Sequence, residues 1–371
     1  MSRVLFVTPE NSTSPRGGRA LLSHLHRSCL QGLLGENLLV HELTPTSPRT
    51  MSARLAALGG RIDGVTRQSE QDVLQRVSSM AVRTVYLDGS NLGHLAKAIK
   101  LRAPGVQVIS FFHNVETQFF WSAFAHNPGL RALGVLIANW RSERLAVRFS
   151  DRRIALSWRD SALLRKLHGR AATDILQMAM QDQLTAAPQT PPAFPAGNYL
   201  LFVGGGFYAN RAGIRWFARE VAPAIGLPTL VVGYGLDDLR EELERSGNVR
   251  LIGAVESLEP WYLGAKAVIA PIFAGSGMKT KVAEALMFGK HIVGSPEAFV
   301  GYDPKVRCAA GWVCETREQW IACLSTVTEM TLPKFDREAR RLFDARYSST
   351  ALYKGLEAIF AFPEGYQAVA E

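Results

Sequence analysis

The sequence has no apolar run near the roughly 20 residues that a bilayer-spanning helix needs, so no transmembrane segment is expected. Only four of its 371 residues are cysteines. They form no CxxC pair, so we expect reduced, partly buried thiols in a cytoplasmic protein rather than disulfides or a metal site. Neither a HExxH metal motif nor a GxSxG nucleophile elbow occurs. The absence of these two motifs argues against the metal-hydrolase and serine-hydrolase mechanisms that depend on them.

Positive charge is concentrated in the first half of the chain. Residues 1–190 hold 23 Lys/Arg against 13 Asp/Glu, whereas residues 191–371 hold 19 against 20. Five arginines of the basic half cluster near a predicted helix: Arg141, Arg144, Arg148, Arg152 and Arg153. The first three share a helix face, which would attract an anionic membrane, a phosphorylated acceptor or nucleic acid. An ordinary solvated arginine-rich surface is the alternative.

Apolar strand-like runs alternate with helical periodicity along the first half. Five strands are predicted there: Val4–Thr8, Leu38–Leu43, Thr84–Asp88, Val106–Phe112 and Arg153–Leu156. Helical patterns lie between them, at about 18–33, 68–80, 91–103 and 128–149. Because the run at 4–7 is short and lacks a cleavage site, we expect a first strand rather than a signal peptide. The alternation predicts a parallel sheet with helices on both faces.

A segment rich in proline, Ala186–Gly197, contains four prolines and no charge and is the best linker candidate. Beyond it the pattern restarts, with strands expected at 199–203, 229–232, 249–252, 267–271 and 291–293. We therefore predict an α/β protein of two Rossmann-like, doubly wound domains, residues 1–190 and 191–345. The C-terminal helix, 346–371, is expected to pack back on the first domain. Ligands would bind in a central cleft between the domains.

The strongest functional signal is the segment Ala270–Ser295. A strand leads into Gly275, Ser276 and Gly277, and a predicted helix then begins with two lysines and carries one carboxylate: Met278, Lys279, Thr280, Lys281 and Glu284. The helix dipole and the unpaired N–H groups of the first turn attract anions. Lysines are unfavourable at this positive end of a helix unless an anionic ligand binds there. The spacing is not that of a P-loop. A sugar diphosphate fits this pattern, and a tight turn with surface lysines is the alternative.

Three other places carry polar or glycine-rich patterns after strands. His113, Asn114 and Glu116 form a polar cluster at a strand end, unless Asn114 merely begins the next helix. Gly17 and Gly18 end a loop that would let an acceptor or phosphate approach the backbone. Four residues follow the strand at 199–203: Gly205, Gly206, Asn210 and Arg211. The glycines permit close approach, Asn210 is expected to cap the next helix, and Arg211 is a candidate phosphate contact. Trp261 and Tyr262 are expected to be packing residues.

Three segments between Tyr199 and Tyr302 resemble one family, in the family's order: FVGGGFYANRAGIRWFAREVAPAI, NVRLIGAVESLEPWYLGAKAVIAPI and GSGMKTKVAEALMFGKHIVGS. They are similar to the nucleotide-sugar-binding domain of retaining glycosyltransferases of the GT-B fold, family 4, called glycosyl transferases group 1. In the first half, Gly17-Gly18 and FFHNVE stand where this family has its Gly-Gly loop and its His-Asn-x-Glu element.

The resemblance implies roles by position. Glu284 matches the second glutamate of the family's E-x7-E motif, which binds the nucleotide ribose. The loop 275–279 matches the diphosphate-binding turn, Lys281 a phosphate or packing residue, and His113 the histidine near the transferred sugar. The chain departs from the family at Ser276, where the first motif glutamate is expected. It also departs after Gly206, where Arg211 is the nearest substitute for a basic phosphate pair.

The resemblance implies an enzyme that moves a sugar, with retention, from a nucleotide-diphosphate sugar to a hydroxyl acceptor. Surface-polysaccharide or glycoconjugate assembly in bacteria is the expected setting. The second domain would hold the donor and the basic first domain a glycan, lipid-linked or small-molecule acceptor, without nucleic acid. Such enzymes generally need no bound metal. A cytoplasmic protein, peripheral on the inner face of the plasma membrane, is expected. A sugar-nucleotide epimerase and a non-catalytic sugar-nucleotide-binding protein remain alternatives.

Overall fold

The computed structural model describes residues 2–9, 17–44, 50–185, 198–275 and 277–361. The linker candidate Ala186–Gly197 and Ser276 lie outside the described residues. The chain divides into two compact units: Met1–Ala179 with Ser349–Glu371, and Met180–Ser348. Among the described helices, none has the length and apolarity that a membrane-spanning segment requires. The four cysteines are free, and Cys308 is exposed rather than buried.

The first unit contains a parallel six-stranded sheet in the order β2-β1-β3-β4-β5-β6. Its strands are β1 (Val4–Thr8), β2 (Leu38–Glu42), β3 (Thr84–Asp88), β4 (Gln107–Phe112), β5 (Arg152–Ala155) and β6 (Asp174–Ile175). Its helices before the second unit are α1 (Gly18–Leu34), α2 (Met51–Leu58), α3 (Arg67–Ser79), α4 (Gly93–Arg102), α5 (Glu116–His126), α6 (Leu130–Phe149) and α7 (Trp158–His168). All residues of β1 and β3 are buried, as expected for a sheet covered on both faces.

The second unit repeats this plan with strand order β12-β11-β10-β7-β8-β9, again parallel. Its strands are β7 (Leu200–Val203), β8 (Thr229–Val232), β9 (Val249–Gly253), β10 (Ala267–Ala270), β11 (Ile292–Gly294) and β12 (Gly311–Val313). Its helices are α8 (Tyr208–Glu220), α9 (Arg240–Glu244), α10 (Glu259–Gly264), α11 (Thr280–Met287), α12 (Pro304–Ala310), α13 (Arg317–Glu329) and α14 (Arg337–Arg346). Its core includes the fully buried Phe217 and Trp320, whose rings pack at 5.9 Å.

The last helix, α15 (Ser349–Ala361), belongs to the first unit, where it packs on α1 and where the Cys29 thiol lies 3.8 Å from the Ser349 carbonyl oxygen. The second unit is therefore inserted within the first. Its first and last residues are neighbours, because Met180 and Ser348 form a parallel bridge and the Met180 N–H donates to the Tyr347 carbonyl at 2.8 Å.

The predicted cluster of five arginines is only partly exposed. Arg141, Arg144 and Arg148 are exposed on α6. Arg152 is instead 3% exposed, and its Nε donates to Asp174 at 3.0 Å. The Arg153 Nε donates to the Ala171 carbonyl at 2.9 Å. The inclusion of Arg152 in the basic face is therefore wrong, since β5 begins at Arg152 and its side chain is buried. The half-buried Arg153 lies on β5 and not on α6.

Candidate functional site

At the carboxyl edge of the second sheet, the glycine loops that follow β7 and β8 contact each other directly. A Cβ atom on Gly206 would lie 2.2 Å from the Gly235 carbonyl oxygen, and one on Gly233 would lie 2.1 Å from the Gly204 oxygen. A Cβ on Gly205 would lie 3.1 Å from the Tyr234 ring. Because the backbones after β7 and β8 touch, no side chain fits at Gly206 or Gly233. The two loops are therefore packed against each other through their backbones.

Lys279 stands at the start of α11, next to two glycines with positive φ. Gly275 has φ +121° and Gly277 φ +68°, conformations that side chains rarely allow. Lys279 is the N-cap residue of the helix and makes no side-chain cap bond. Its Nζ donates to the Gly277 carbonyl at 2.8 Å and to Glu297 Oε1 at 3.0 Å. A lysine ammonium thus lies at the positive end of a helix dipole.

Glu297 is a site residue that sequence reasoning missed. It follows β11 in a short 3-10 turn that begins at Pro296, and its side chain is 21% exposed. Its position just after a strand end was the available signal. The ion pair with Lys279 means that an incoming anion must compete with a carboxylate for this ammonium.

Lys281 points away from the helix start and into the protein. Its Nζ donates to Asn210 Oδ1 at 2.8 Å and lies 5.2 Å from the centroid of the Phe202 ring. Burial lowers the pKa of Lys281 to about 8, although the nearby Glu284 charge opposes the shift. Asn210 in turn donates through Nδ2 to the Gly205 carbonyl at 3.0 Å. Lys281 and Asn210 therefore hold the first glycine loop in place.

The predicted capping role of Asn210 is wrong, because α8 begins at Tyr208 after Phe207 and Asn210 lies inside its first turn. Arg211 is placed at the surface, where its Nη1 donates to Asp238 Oδ1 at 2.9 Å and to the Gly235 carbonyl at 3.0 Å. Arg211 thus joins α8 to the second glycine loop.

Glu284 is half-buried one turn into α11. It accepts a hydrogen bond at 2.6 Å from the hydroxyl of Tyr262, whose ring stacks on Phe288 at 4.8 Å. Tyr262 is fully buried, as expected of a packing residue, and it also orients the carboxylate. Met278 is buried and Thr280 half-buried beside Lys279.

His113 lies in a buried polar cluster at the carboxyl edge of the first sheet. Its Nε2 lies 2.7 Å from Asp88 Oδ1 and 3.3 Å from the Ser23 hydroxyl. Thr8 donates to the other Asp88 oxygen at 2.8 Å. Burial alone would raise the pKa of Asp88, but the charges and hydrogen bonds of its neighbours hold that pKa well below its usual range. Nδ1 of His113 has no hydrogen-bond partner among the described residues. In a neutral ring bonded this way, Nδ1 is the acceptor.

The loop from His113 to Glu116 is held by a carboxylate from another helix. Glu143 on α6 accepts from the backbone N–H groups of Glu116 at 2.8 Å and Thr117 at 3.0 Å, and it lies 2.9 Å from His168 Nε2. The helix α5 begins at Glu116, so the alternative in which Asn114 begins it is wrong. Burial raises the pKa of Glu116 to about 7, Arg19 lowers it, and Glu143 adds to the rise.

Gly17 and Gly18 lie at the start of α1, with Gly17 at φ +85°. The following residue, Arg19, lies beside the turn after β3, because a Cβ on Gly89 would be 3.1 Å from Arg19 Nη2. The structure therefore places all described candidates of the first unit at one sheet edge: Gly17, Gly18, His113, Asn114 and Glu116. It places those of the second unit at the corresponding edge there: Gly205, Gly206, Asn210, Arg211, Gly275, Gly277, Met278, Lys279, Thr280, Lys281 and Glu284.

Sequence reasoning did not find Arg19, Glu143 or His168. Within the described ranges, no group of three or more His, Cys, Asp or Glu side chains is arranged to hold a metal ion.

The match to a known protein family lies within the second unit. Residues 197–325 match the family model described as glycosyl transferases group 1. A search of curated proteins finds no match.

Solved structures resemble nearly the whole chain. Sucrose-phosphate synthase from Thermosynechococcus elongatus has a TM-score of 0.68 at 12% identity, covering 97% of this chain and 98% of that one. HepE from Anabaena in complex with UDP has a TM-score of 0.65 at 15% identity, covering 97% and 99%. WaaG, a glycosyltransferase involved in lipopolysaccharide biosynthesis, has a TM-score of 0.65 at 15% identity, covering 96% and 98%. The chain has the GT-B fold, with two α/β units that each contain a parallel six-stranded sheet.

Proposed function

We propose that this protein is a glycosyltransferase that moves a sugar, with retention, from a nucleotide-diphosphate sugar to a hydroxyl acceptor. The observation that carries the proposal is Lys279, which stands at the start of α11 between a glycine turn and a helix dipole. The family match over residues 197–325 supports it. So does the UDP complex of a protein with the same fold. Bacterial surface-polysaccharide or glycoconjugate assembly is the proposed setting.

The second unit would bind the donor. The diphosphate would lie at the α11 N-terminus, where Lys279 and the helix dipole stabilise the charge that develops on the leaving phosphate. Glu284, oriented by Tyr262, would accept hydrogen bonds from the ribose. The contacting glycine loops would allow the nucleotide to approach the backbone. Because these groups neutralise the leaving diphosphate, we propose that no metal ion is needed.

The first unit would bind the acceptor and the transferred sugar. Asp88 fixes the His113 ring, and the buried Nδ1 would then accept a hydrogen bond from a sugar hydroxyl. Glu116, with its pKa raised to about 7, would exchange a proton near neutral pH. Gly17, Gly18 and Asn114 share the same edge and would line the acceptor site.

A panel of nucleotide sugars, incubated first alone and then with a lipid extract, tests this proposal. We expect a product only when an acceptor is present. An epimerised donor formed without acceptor would overturn the transferase proposal in favour of the epimerase. Saturable binding without turnover would support a binding protein instead. Absence of any nucleotide-diphosphate binding would contradict all three functions.

The ion pair between Lys279 and Glu297 leads to a prediction about affinity. We expect Glu297→Gln to tighten UDP binding, because the change removes a negative charge that competes for the ammonium and repels the diphosphate. An ion pair near the protein surface contributes about 1 kcal/mol at most, so the gain in affinity should be up to about fivefold. Isothermal titration with UDP measures it, with Glu318→Gln, an exposed glutamate of the same unit, as control. Unchanged or weaker binding would show that Glu297 does not compete with the ligand.

We also propose a cytoplasmic protein that contacts an anionic membrane through α6. Arg141, Arg144 and Arg148 are exposed on this helix, and two large apolar side chains are exposed nearby in the sequence, Trp121 at 56% and Leu130 at 90%. Basic side chains attract anionic lipid, and apolar ones enter the interface.

The corresponding triple variant, R141E/R144E/R148E, should lose binding to vesicles that contain anionic lipid. Each basic residue near such a surface contributes about 1 kcal/mol, so charge reversal at three positions should weaken binding at least about 100-fold. Vesicle sedimentation measures the change. The control R245E/R337E/R341E reverses three exposed arginines of the second unit and should still bind. Equal loss in both variants would show that net charge, and not this helix, governs binding.

A further inference from the structure

Two adjoining depressions on the first unit are lined by none of the residues that the proposed transfer reaction uses. One has a volume of about 500 Å³ and lies along α3 and α4. The other has a volume of about 760 Å³ and lies beside α2. The side chains of Arg61 and Arg67 line both depressions, so the two meet along these arginines. We call the combined feature the Arg61–Arg67 groove.

The first arm of the groove is cationic. Four permanent cations line it, Arg61, Arg67, Lys97 and Arg102, against the single carboxylate of Glu70. The negative charge of Glu70 is already paired with Arg61, which donates to the two carboxylate oxygens at 3.0 and 3.3 Å. Within the described part of the chain, the other three cations have no carboxylate within ion-pair distance. This arm therefore has a positive charge that its own side chains do not neutralise.

His94 also lines the cationic arm and adds no charge to it at neutral pH. Its Nε2 lies 3.0 Å from the Gly59 carbonyl oxygen. Burial lowers the pKa of His94; the hydrogen bond to Gly59 opposes the shift, and the charges of Arg61 and Lys97 add to it. The attraction for an anion consequently comes from the arginines and the lysine.

The second arm is mainly apolar. Besides the two shared arginines and three polar residues, Ser52, Asp63 and Thr66, it is lined by short aliphatic side chains: Ala53, Ala56, Ala57, Ile62 and Val65. The Asp63 carboxylate accepts a hydrogen bond from Asn91 Nδ2. The helix α2 that forms one wall also exposes Met51 at 70% and Leu55 at 62%. Apolar surface of this kind gains free energy when it is covered by hydrocarbon.

We propose that the Arg61–Arg67 groove binds a single amphiphile with a phosphate head and a hydrocarbon tail. The phosphate occupies the cationic arm, with Arg67 and Lys97 as its main contacts, and the tail lies along α2. A small inorganic anion uses only the first arm, and a neutral apolar molecule uses only the second. The combination of both arms at Arg61 and Arg67 favours the amphiphile. This inference concerns binding alone and does not rest on the proposed sugar transfer.

Titration of the full-length protein with octyl phosphate, below its micelle concentration, tests the proposal. Inorganic phosphate and 1-octanol serve as the head-only and tail-only probes. Each buried methylene raises affinity about fourfold, so even two of them should make octyl phosphate bind at least tenfold tighter than inorganic phosphate. Octanol should bind at least tenfold more weakly than octyl phosphate. Equal affinity for octyl phosphate and either single-function probe would overturn the proposal.

Two variants locate the site. R67Q/K97Q should weaken octyl phosphate binding at least tenfold and should weaken octanol binding much less, because Arg67 borders the apolar arm but carries the charge of the cationic one. The matched control R165Q/K166Q removes two exposed cations from α7 of the same unit and should bind as the unaltered protein does. A56Q, which puts an amide into the apolar arm, should reduce the preference for octyl phosphate over inorganic phosphate. Normal octyl phosphate binding by both R67Q/K97Q and A56Q would place the amphiphile elsewhere and contradict the inference.

Discussion

Replacing Lys279 by alanine is expected to lower the turnover number about 10²–10³-fold, the usual cost of removing one preorganised group that stabilises transition-state charge. The ammonium stands at the first turn of α11, at the positive end of the helix dipole, where a leaving diphosphate would gain charge. UDP affinity should fall less, by about tenfold, because ground-state charge is also held by the helix N-terminus. Steady-state kinetics and isothermal titration measure the two effects separately.

The control for this prediction is Lys334→Ala, which removes an exposed lysine of the same unit. It should leave both the turnover number and the UDP affinity unchanged. An increase of KM in Lys279→Ala with an unchanged turnover number would mean that Lys279 contributes only to ground-state binding. Unaltered kinetics would remove Lys279 from the donor site and leave the proposed function without its main support.

Replacing Lys290 by methionine is expected to destabilise the second unit by about 3 kcal/mol or more. Lys290 is 1% exposed, and its Nζ donates to three carbonyl oxygens: Leu263 at 2.9 Å, Ala265 at 2.9 Å and Lys334 at 2.6 Å. Methionine fills a similar volume but leaves one buried and two partly buried carbonyl oxygens without this donor, at a cost of roughly 1 kcal/mol or more each. Chemical denaturation with a probe in the second unit measures the loss. The control variant Lys334→Met replaces an exposed lysine of the same unit and should change the free energy of unfolding by no more than about 0.5 kcal/mol.

The pH dependence provides a second measurement on the same variant. Burial lowers the pKa of Lys290 to about 8, and the nearby Lys334 charge adds to the shift. The unfolded chain holds this proton to about pH 10.4, so it binds more protons than the folded protein between these values. Lys290 therefore makes the free energy of unfolding increase as pH rises from 8 to 10. Lys290→Met lacks the gain, so its deficit should widen over that range. A constant deficit would indicate that Lys290 titrates normally in the folded protein.

The alternation of strands and helices could be predicted from the sequence because buried parallel strands are continuous apolar runs. Val4–Thr8 and Thr84–Asp88 were predicted with the boundaries that the structure has. The two-residue strand β6 was not, since so short a pair has no periodicity. Asn210 was expected to cap the helix because asparagine is a favoured N-cap residue, whereas the helix already begins at Tyr208.

The site could be predicted where its residues are close in sequence. Lys279 and Glu284 lie within about two helix turns of Gly275 and Gly277, so all four residues can be recognised in one short segment of the sequence. Glu143 contacts Glu116 across 27 positions, and Glu297 contacts Lys279 across 18, so no local pattern joins them. The sequence made Lys281 a candidate phosphate or packing residue and gave no signal for Lys290, and only the packing around them shows that both are buried.

The insertion of the second unit into the first has a consequence for how the chain can be divided. Residues 180–348 form one continuous stretch whose ends are hydrogen-bonded neighbours, so we expect this stretch to fold when it is produced as a separate polypeptide. The first unit has no such continuous gene segment, because α15 is needed on α1 and is encoded after the inserted unit. A protease cut within 186–197 would leave the two pieces joined through α15, so electrophoresis without denaturant should show a single nicked species.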